Sequence, residues 1–217
     1  MTLSALILQR LPLLAGLPDE LGALCARDGV IRAVKRRQLV FLPKELGHFL
    51  GFVVQGRVQG VAFTPDEREF AVSSYAEGAH FGEVEAWGAA QLPVAVEYVA
   101  VADGSVALVP VETINQVATA WPELWRRLFT ASIQRQEEWL RWRQWWNLPN
   151  AAERVEAVLA WLASQGEEGV LPAGVTQQEI AGYANTTRET VTRVMQRLQA
   201  EGRLARTAAG WVWNAER

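Results

Sequence analysis

Residues 175–204, VTQQEIAGYANTTRETVTRVMQRLQAEGRL, have the pattern of two short helices joined by a tight turn. Thr176 and Glu179 have the Thr-x-x-Glu spacing of a capping box, in which a hydroxyl and a carboxylate bind free N–H groups at a helix start. Asn185 tolerates the left-handed conformation that ends many helices. The spacing therefore predicts a first helix that begins after Thr176 and ends near Asn185.

A second helix is predicted directly after this turn. Thr186 and Thr187 both offer a capping hydroxyl, and Thr186 with Glu189 repeats the Thr-x-x-Glu spacing. Small Ala181 allows the two helices to cross closely. The apolar residues that would hold the pair to its domain are Ile180, Ala184, Val191, Val194 and Leu198. Two helices joined by a turn of about three residues form a helix-turn-helix, which presents its second helix to the DNA major groove.

The exposed start of the second helix carries side chains suited to reading bases. Arginine binds guanine O6 and N7 together, and glutamate accepts a hydrogen bond from the cytosine amine. Residues 188–206 contain five arginines and two glutamates, a local charge of +3 in a chain with net charge −3. An amphipathic hairpin with solvated arginines is the alternative interpretation. The predicted DNA-binding residues are Thr176, Thr187, Arg188, Glu189, Thr192, Arg193 and Arg197, and residues 204–213 are predicted to form two short strands beside them.

Composition limits the remaining possibilities. The chain has 217 residues, half of them apolar, which favours two domains. It lacks an apolar run of membrane-spanning length and the features of a signal peptide, so a cytoplasmic protein without a membrane partner is expected. Cys25 is the single cysteine, which excludes an internal disulfide or a cysteine-ligated iron–sulfur cluster within one chain. Cys25 is expected to be buried as a small apolar residue.

Short β-like runs separated by Gly, Pro and Asp dominate residues 30–110, and they predict an antiparallel barrel or sandwich. The runs are QLVFLP (38–43), LGFVVQG (50–56), RVQGVAF (57–63), EFAVSSYAEG (69–78), AVEYVAVADG (95–104) and SVALVPV (105–111).

A helix of about 25 residues is predicted in the Gly-free stretch that follows. One side of it has the 4-3-4-3-4 spacing that keeps a seam facing a partner, and we expect this seam to contribute to a dimer. The seam residues are Leu128, Ser132, Arg135, Trp139, Trp142 and Trp146. Packing of the helix onto the chain's own barrel is the alternative, and both are expected together because apolar groups surround the helix. LPN at 148–150 predicts a hinge, and the helix after it has Val155, Val158, Leu159 and Leu162 on one face.

The order of these parts resembles the Crp/Fnr superfamily of bacterial transcription regulators. LGFVVQGRVQGVAFTPDEREFAVSSYAEGAHFGE (50–83) is similar to the family's β-roll, with Gly56 and Gly78 at turns, and Arg-Glu-Thr-Val-x-Arg (188–193) is similar to its recognition helix. The resemblance implies an α+β chain with a cyclic-nucleotide-binding-like β-roll (a double-stranded β-helix, 1–118), a dimerisation helix (119–147) and a winged helix-turn-helix (148–217). It further implies a homodimer that binds a palindromic TGTGA-like site and contacts RNA polymerase.

The ligand-binding segment departs from the family pattern. Gly82 and Glu83 match the F-G-E motif, but Pro93-Val94 stands where cyclic-nucleotide-binding relatives have Arg-Ser or Arg-Thr, and Trp139-Leu140 stands where their long helix offers Thr-Ser. A phosphate buried without a guanidinium would be an unpaired charge. We therefore predict no control by cyclic AMP, no cofactor, and an effector of unknown identity.

Two other function classes remain open. A DNA-binding dimer without any small effector would be controlled by its own abundance. A metal-dependent, cupin-like enzyme would need several convergent ligands, and the chain offers His80 and Glu83 with His48 far away in sequence. The same two histidines are the possible haem ligands, and both are expected to be surface or packed residues instead. We predict no catalytic residue and no metal site.

Overall fold

Short antiparallel strands build residues 30–110 of the computed structural model, which describes residues 3–63, 69–88, 95–164, 166–172, 174–208 and 210–214. The chain divides into two compact units, residues 1–133 and 134–217. The strands of the N-terminal unit are β1 (Val30–Val34), β2 (Phe49–Gln55), β3 (Val58–Phe63), β4 (Glu69–Tyr75), β5 (His80–Phe81), β6 (Glu97–Ala100) and β7 (Gly104–Pro110). They form two antiparallel sheets, in the orders β1-β7-β2-β5 and β4-β3-β6, as the prediction of a β-roll requires.

One of the six predicted runs is not a strand. Residues 38–43 make only an isolated bridge between Leu39 and Val99. The Val40 carbonyl accepts a hydrogen bond from Arg32 Nη1 at 2.6 Å, so a side chain satisfies this carbonyl. Pro43 has no N–H for a sheet ladder, which explains why the run does not pair further. The first strand lies earlier, at Val30–Val34, and pairs with β7.

Aromatic side chains fill the interior between the strands. The Phe81 ring lies 5.2 Å from the ring of Tyr98 and 5.5 Å from that of Tyr75, and Phe41 packs against Phe81 at 5.3 Å. We call these four residues the aromatic core. Gly51 is required beside it because a Cβ there would lie 2.3 Å from the Phe81 ring.

A second apolar core joins the strands to the helices of the same unit. These helices are α1 (Ala5–Gln9), α2 (Asp19–Asp28), α3 (Glu83–Trp87) and α4 (Val111–Ala120). Leu8, Leu14 and Ile114 are fully buried within this core. Cys25 is buried there too, as predicted, and burial raises the pKa of its thiol to about 11.

The predicted long helix is α5 (Glu123–Trp146), with 24 residues. In the N-terminal unit its first turns bury Leu124 and Leu128 in the core just described. Arg127 donates a hydrogen bond to the Ala15 carbonyl at 2.6 Å and stacks over the Trp121 ring. The start of α5 is therefore fixed to its own unit by both apolar and polar contacts.

The C-terminal unit contains α6 (Ala151–Ser164), α7 (Gln177–Tyr183), α8 (Arg188–Ala200), β8 (Leu204–Thr207) and β9 (Gly210–Trp213). The predicted apolar face of α6 is buried, and so are the apolar residues predicted to hold α7 and α8. The two strands pair antiparallel, as predicted for the wing. Among the described residues, we find no helix with the length and apolarity needed to cross a membrane.

An ion pair fixes the loop after β1. Arg32 donates to both carboxylate oxygens of Glu45, at 2.7 and 2.8 Å, and the Leu42 N–H donates to the same carboxylate at 2.8 Å. The hydrogen bond from Arg32 is the main reason that the pKa of Glu45 falls from 4.5 to about 2. The ionised carboxylate is therefore favoured in the folded state.

Glu45→Gln is expected to lower the free energy of unfolding by about 1–3 kcal/mol at pH 7, because the hydrogen bonds to a charged group are lost. Since the folded-state pKa of Glu45 is lowered, its contribution is full above about pH 4.5 and is lost as the pH falls towards about 2. Denaturant unfolding between pH 2 and pH 7 measures this difference. Glu20→Gln, on an exposed glutamate, controls for the loss of one charge. A difference between wild type and Glu45→Gln that stays constant over this range would contradict the prediction.

Candidate DNA-binding surface

The capping box at the start of α7 is present as predicted. The Glu179 N–H donates to Thr176 Oγ1 at 3.2 Å, and the Thr176 N–H donates to Glu179 Oε2 at 2.9 Å. Glu179 is only 1 % exposed. A buried carboxylate that accepts from both the N–H and the hydroxyl of Thr176 fixes the start of α7 more rigidly than an exposed cap would.

The turn between α7 and α8 has the backbone that the sequence predicts. Asn185 has φ 45°, in the left-handed region. The Thr186 N–H donates to the Ala181 carbonyl at 3.0 Å and closes the turn. Ala184 is fully buried at this point, so the turn is part of the domain core.

The cap of α8 is Thr187 and not Thr186. Thr187 has extended backbone angles, and its Oγ1 accepts a hydrogen bond from the Thr190 N–H at 3.3 Å. Because the Thr186 N–H already closes the turn, the helix begins one residue later than the Thr186–Glu189 spacing suggests. Interactions with its own backbone N–H and with the Thr187 hydroxyl lower the pKa of Glu189.

The first two turns of α8 bring three charged side chains to the surface. Arg188, Glu189 and Arg193 are exposed. Arg193 Nη2 donates to Thr190 Oγ1 at 3.2 Å. Thr192 is half-buried, and its hydroxyl donates to Gln177 Oε1 at 2.9 Å, which joins α8 to the start of α7.

Glu156 on α6 binds two of the five arginines of residues 188–206. Arg197 Nη2 contacts Glu156 Oε1, and Arg203 Nη2 lies 2.9 Å from Glu156 Oε2. Arg203 also stacks over the Trp213 ring at 5.2 Å. Addition of Glu156 to residues 188–206 reduces the local charge from +3 to +2. No local spacing indicates Glu156, because it lies 41 residues before Arg197.

The predicted seam of α5 is divided between different environments. Leu128 is buried in the N-terminal core and Trp142 in the C-terminal core, whereas Trp139 is exposed. Ser132, Arg135 and Trp146 are half-buried. Their part in a dimer stays a prediction. A different set of α5 residues, which we call the exposed stripe, presents larger apolar area to solvent: Phe129 is 68 % exposed, Ile133 41 % and Leu140 66 %.

The predicted ligand-binding segment is described only in part. Gly82 has φ 93°, as its turn requires, and Glu83 begins α3. Pro93 and Val94 lie outside the described residues. His80 is buried and His48 is exposed. Within the described part of the chain, no three His, Cys, Asp or Glu side chains converge as metal ligands would.

Comparison with known proteins identifies the C-terminal domain and the fold. The Crp-like helix-turn-helix family matches residues 153–212. The regulator CLP of Xanthomonas campestris, described as c-di-GMP responsive, superposes with a TM-score of 0.72 at 19 % identity, over 91 % of this chain and 100 % of CLP. FixK2 of Bradyrhizobium japonicum gives 0.69 at 20 % identity, over 87 % and 93 % of the two chains.

A third solved structure, a regulator assigned to the Crp/Fnr family from Eubacterium rectale, gives a TM-score of 0.66 at 14 % identity, over 95 % of this chain and 94 % of that one. A search of curated proteins finds no significant match. Residues 153–212 are therefore a Crp-like helix-turn-helix domain, and the chain has the fold of the Crp/Fnr transcription regulators.

Proposed function

We propose that this protein is a transcription regulator that binds DNA in a sequence-specific manner as a homodimer. The observation that carries the proposal is the exposure of Arg188, Glu189 and Arg193 on the first two turns of α8, in a domain that matches the Crp-like helix-turn-helix. We call α8 the recognition helix. Such a regulator would act in the cytoplasm and, by its resemblance to the family, would contact RNA polymerase.

The proposed half-site is similar to TGTGA. Arg188 and Arg193 would each bind a guanine through O6 and N7, and Glu189 would accept from a cytosine amine. The Thr187 cap and the Thr192–Gln177 hydrogen bond hold the backbone of this helix, so only the ends of the long side chains need to order on binding. A dimer would place two such helices about one DNA turn apart on a palindrome.

Arg188→Ala and Arg193→Ala are each expected to cost about 1–3 kcal/mol of binding free energy on the selected site and little on random DNA. Glu189→Ala removes a negative charge near DNA, so binding to random DNA should tighten while the preference at its cytosine relaxes. Binding-site selection at fixed salt, with no added nucleotide, measures both effects. If both arginine variants select the wild-type motif with the same base preference at every position, the proposed base contacts are refuted.

Arg197 and Arg203 are proposed to be restrained by Glu156, so they add less to DNA binding than their charge suggests. Glu156 accepts from both guanidinium groups and is itself mostly buried, with a side chain 23 % exposed. Phosphates would have to compete with this carboxylate for both arginines. We therefore assign the base contacts to the first two turns of the recognition helix and treat Arg197 as a weaker contact.

Glu156→Gln is expected to free these arginines, tighten binding to random DNA and steepen the dependence of log K on log salt by about 1–2. Fluorescence anisotropy across a salt series measures the slope. Glu153→Gln, on the same helix, is the matched control, because it removes the same charge and Glu153 contacts Asn150 instead of an arginine. Equal slopes for the two variants would show that Glu156 does not restrain the arginines.

The exposed stripe is proposed as the centre of the homodimer interface. Phe129, Ile133 and Leu140 are spaced i, i+4 and i+11, which places them on one face of α5. Large apolar side chains repeated along one helix face are typical of a covered surface. Trp139 flanks this stripe, whereas buried Trp142 is needed by its own domain.

The double variant Phe129→Glu with Leu140→Glu is expected to weaken the dimer at least about a hundredfold, because two large apolar groups contribute about 1.5–3 kcal/mol each when buried. Analytical ultracentrifugation measures the association, and circular dichroism checks the fold. Gln134→Glu, at an exposed position about 120° around α5 from the centre of the stripe, is the control. A double variant that dimerises as tightly as this control would place the interface elsewhere.

Control by cyclic AMP is not part of the proposal. The aromatic core fills the interior of the roll with the chain's own side chains, and the Tyr98 hydroxyl donates to Glu85 Oε2 at 2.8 Å. Burial is the main cause that raises the pKa of Tyr98, so this hydroxyl stays a neutral donor. These contacts support a dimer that binds DNA without a cyclic nucleotide. Control by another effector and control by protein abundance are the remaining alternatives.

A further inference from the structure

Two side chains from outside the helix-turn-helix bind the carbonyls of its turn. Trp146 Nε1 donates to the Tyr183 carbonyl at 2.9 Å. Arg154 Nε donates to the Ala184 carbonyl at 2.8 Å, and its Nη2 donates to the Asn185 carbonyl at 3.3 Å. The last carbonyls of a helix have no partner within the helix, so these bonds satisfy groups that α7 leaves open.

The two donors lie on opposite sides of the break between α5 and α6. Trp146 is the last residue of α5, and Arg154 lies in the first turn of α6. Arg154 Nη1 also donates to the Leu148 carbonyl, at 3.3 Å, within the break itself. One guanidinium therefore joins the break to the turn that precedes the recognition helix.

Ring packing surrounds Tyr183, whose carbonyl accepts from Trp146. Tyr183 is buried, and its ring lies 5.0 Å from that of Trp142 and 5.6 Å from that of Trp161. Trp145 packs on Trp161 at 5.5 Å. We call these four residues the tryptophan cluster. The Trp146–Tyr183 hydrogen bond is part-buried beside this cluster, which makes its loss more costly than at the surface.

We propose that Trp146 and Arg154 are positioning residues that fix the end of α5 to the helix-turn-helix turn. The end of α5, α6 and the recognition helix then move as one body, in place of the hinge that LPN at 148–150 suggests. The consequence for DNA rests on the proposed function. The recognition helix begins three residues after Asn185, so any change in this turn displaces Arg188 and Arg193 from the bases that they would read.

Trp146→Phe and Arg154→Lys test this proposal on the full chain. Phenylalanine keeps a ring but loses the N–H donor, and lysine keeps the charge but cannot bind three carbonyls in the fork geometry of arginine. Each variant is expected to lower the ratio of affinities for the selected site and for random DNA by about 3- to 10-fold. Affinity for random DNA and its salt dependence should stay unchanged, because the charge is unchanged.

Trp161→Phe is the matched control. The Trp161 indole N–H is buried and has no acceptor in the described part of the chain, so this variant makes the same change of ring without breaking a hydrogen bond. Its affinity ratio is expected to stay within about twofold of wild type. An equal fall in the Trp161→Phe and Trp146→Phe ratios, or an unchanged ratio in Trp146→Phe and Arg154→Lys, would overturn the proposal.

Hydrogen exchange of the wild-type protein gives a test that needs neither variant folding nor DNA. If the end of α5 and the turn move as one body, the Trp146 indole N–H and the backbone N–H groups of α7 exchange through the same opening, with the same protection. An indole N–H that exchanges at least a hundredfold faster than the α7 amides would show that the end of α5 is not fixed to the turn. If the wild type shows no preference for any DNA sequence, the proposed function fails. The exchange result still tests whether Trp146 and Arg154 fix the end of α5 to the turn.

Discussion

The helix-turn-helix depends on one constraint, which is that the carbonyls at the turn between α7 and α8 must find hydrogen-bond donors. A helix end that is buried without partners would cost about 1–3 kcal/mol for each open carbonyl. Here the indole of Trp146 and the guanidinium of Arg154 supply the donors. The positive φ of Asn185 then directs the chain into the recognition helix. These polar contacts satisfy the carbonyls of Tyr183 and Ala184, both of which are buried.

The charges around the recognition helix show why the net charge of a chain says little about its partners. The chain carries −3 overall, yet Arg188 and Arg193 stand exposed at the start of the helix. Farther along, Glu156 neutralises part of the positive charge of Arg197 and Arg203. Positive potential is thereby concentrated where base contacts are proposed. This arrangement favours sequence discrimination over general attraction to phosphates, which carries no sequence information.

Local patterns in the sequence predicted the elements well because their causes are local. The Thr176–Glu179 box spans four residues, and the buried face of α6 follows from helical periodicity alone. The choice of Thr187 over Thr186 as cap was not predictable, because it depends on a hydrogen bond from Thr186 to a carbonyl of α7. Both candidates offer the same hydroxyl in the sequence.

Contacts between distant residues account for most of what the sequence left open. The Glu156–Arg197 pair and the hydrogen bonds from Arg154 to the Ala184 and Asn185 carbonyls join positions 30 or more residues apart, and no spacing rule connects them. The α5 seam shows the same limit. Its 4-3-4 spacing selects one side of a helix that has apolar residues on several sides. Spacing alone cannot predict that Trp142 is buried in its own domain while Phe129 is exposed.

Helix α5 has three different environments along its 24 residues. Leu128 packs in one unit, Trp142 packs in the other, and the exposed stripe is left to solvent in a single chain. Water around three large apolar side chains is unfavourable by about 25 cal/mol for each Å² of apolar surface. Burial against a second copy of α5 removes this cost, and a two-fold axis gives each stripe an identical partner. In the proposed homodimer the helix that completes the apolar surface therefore also sets the spacing of the two recognition helices.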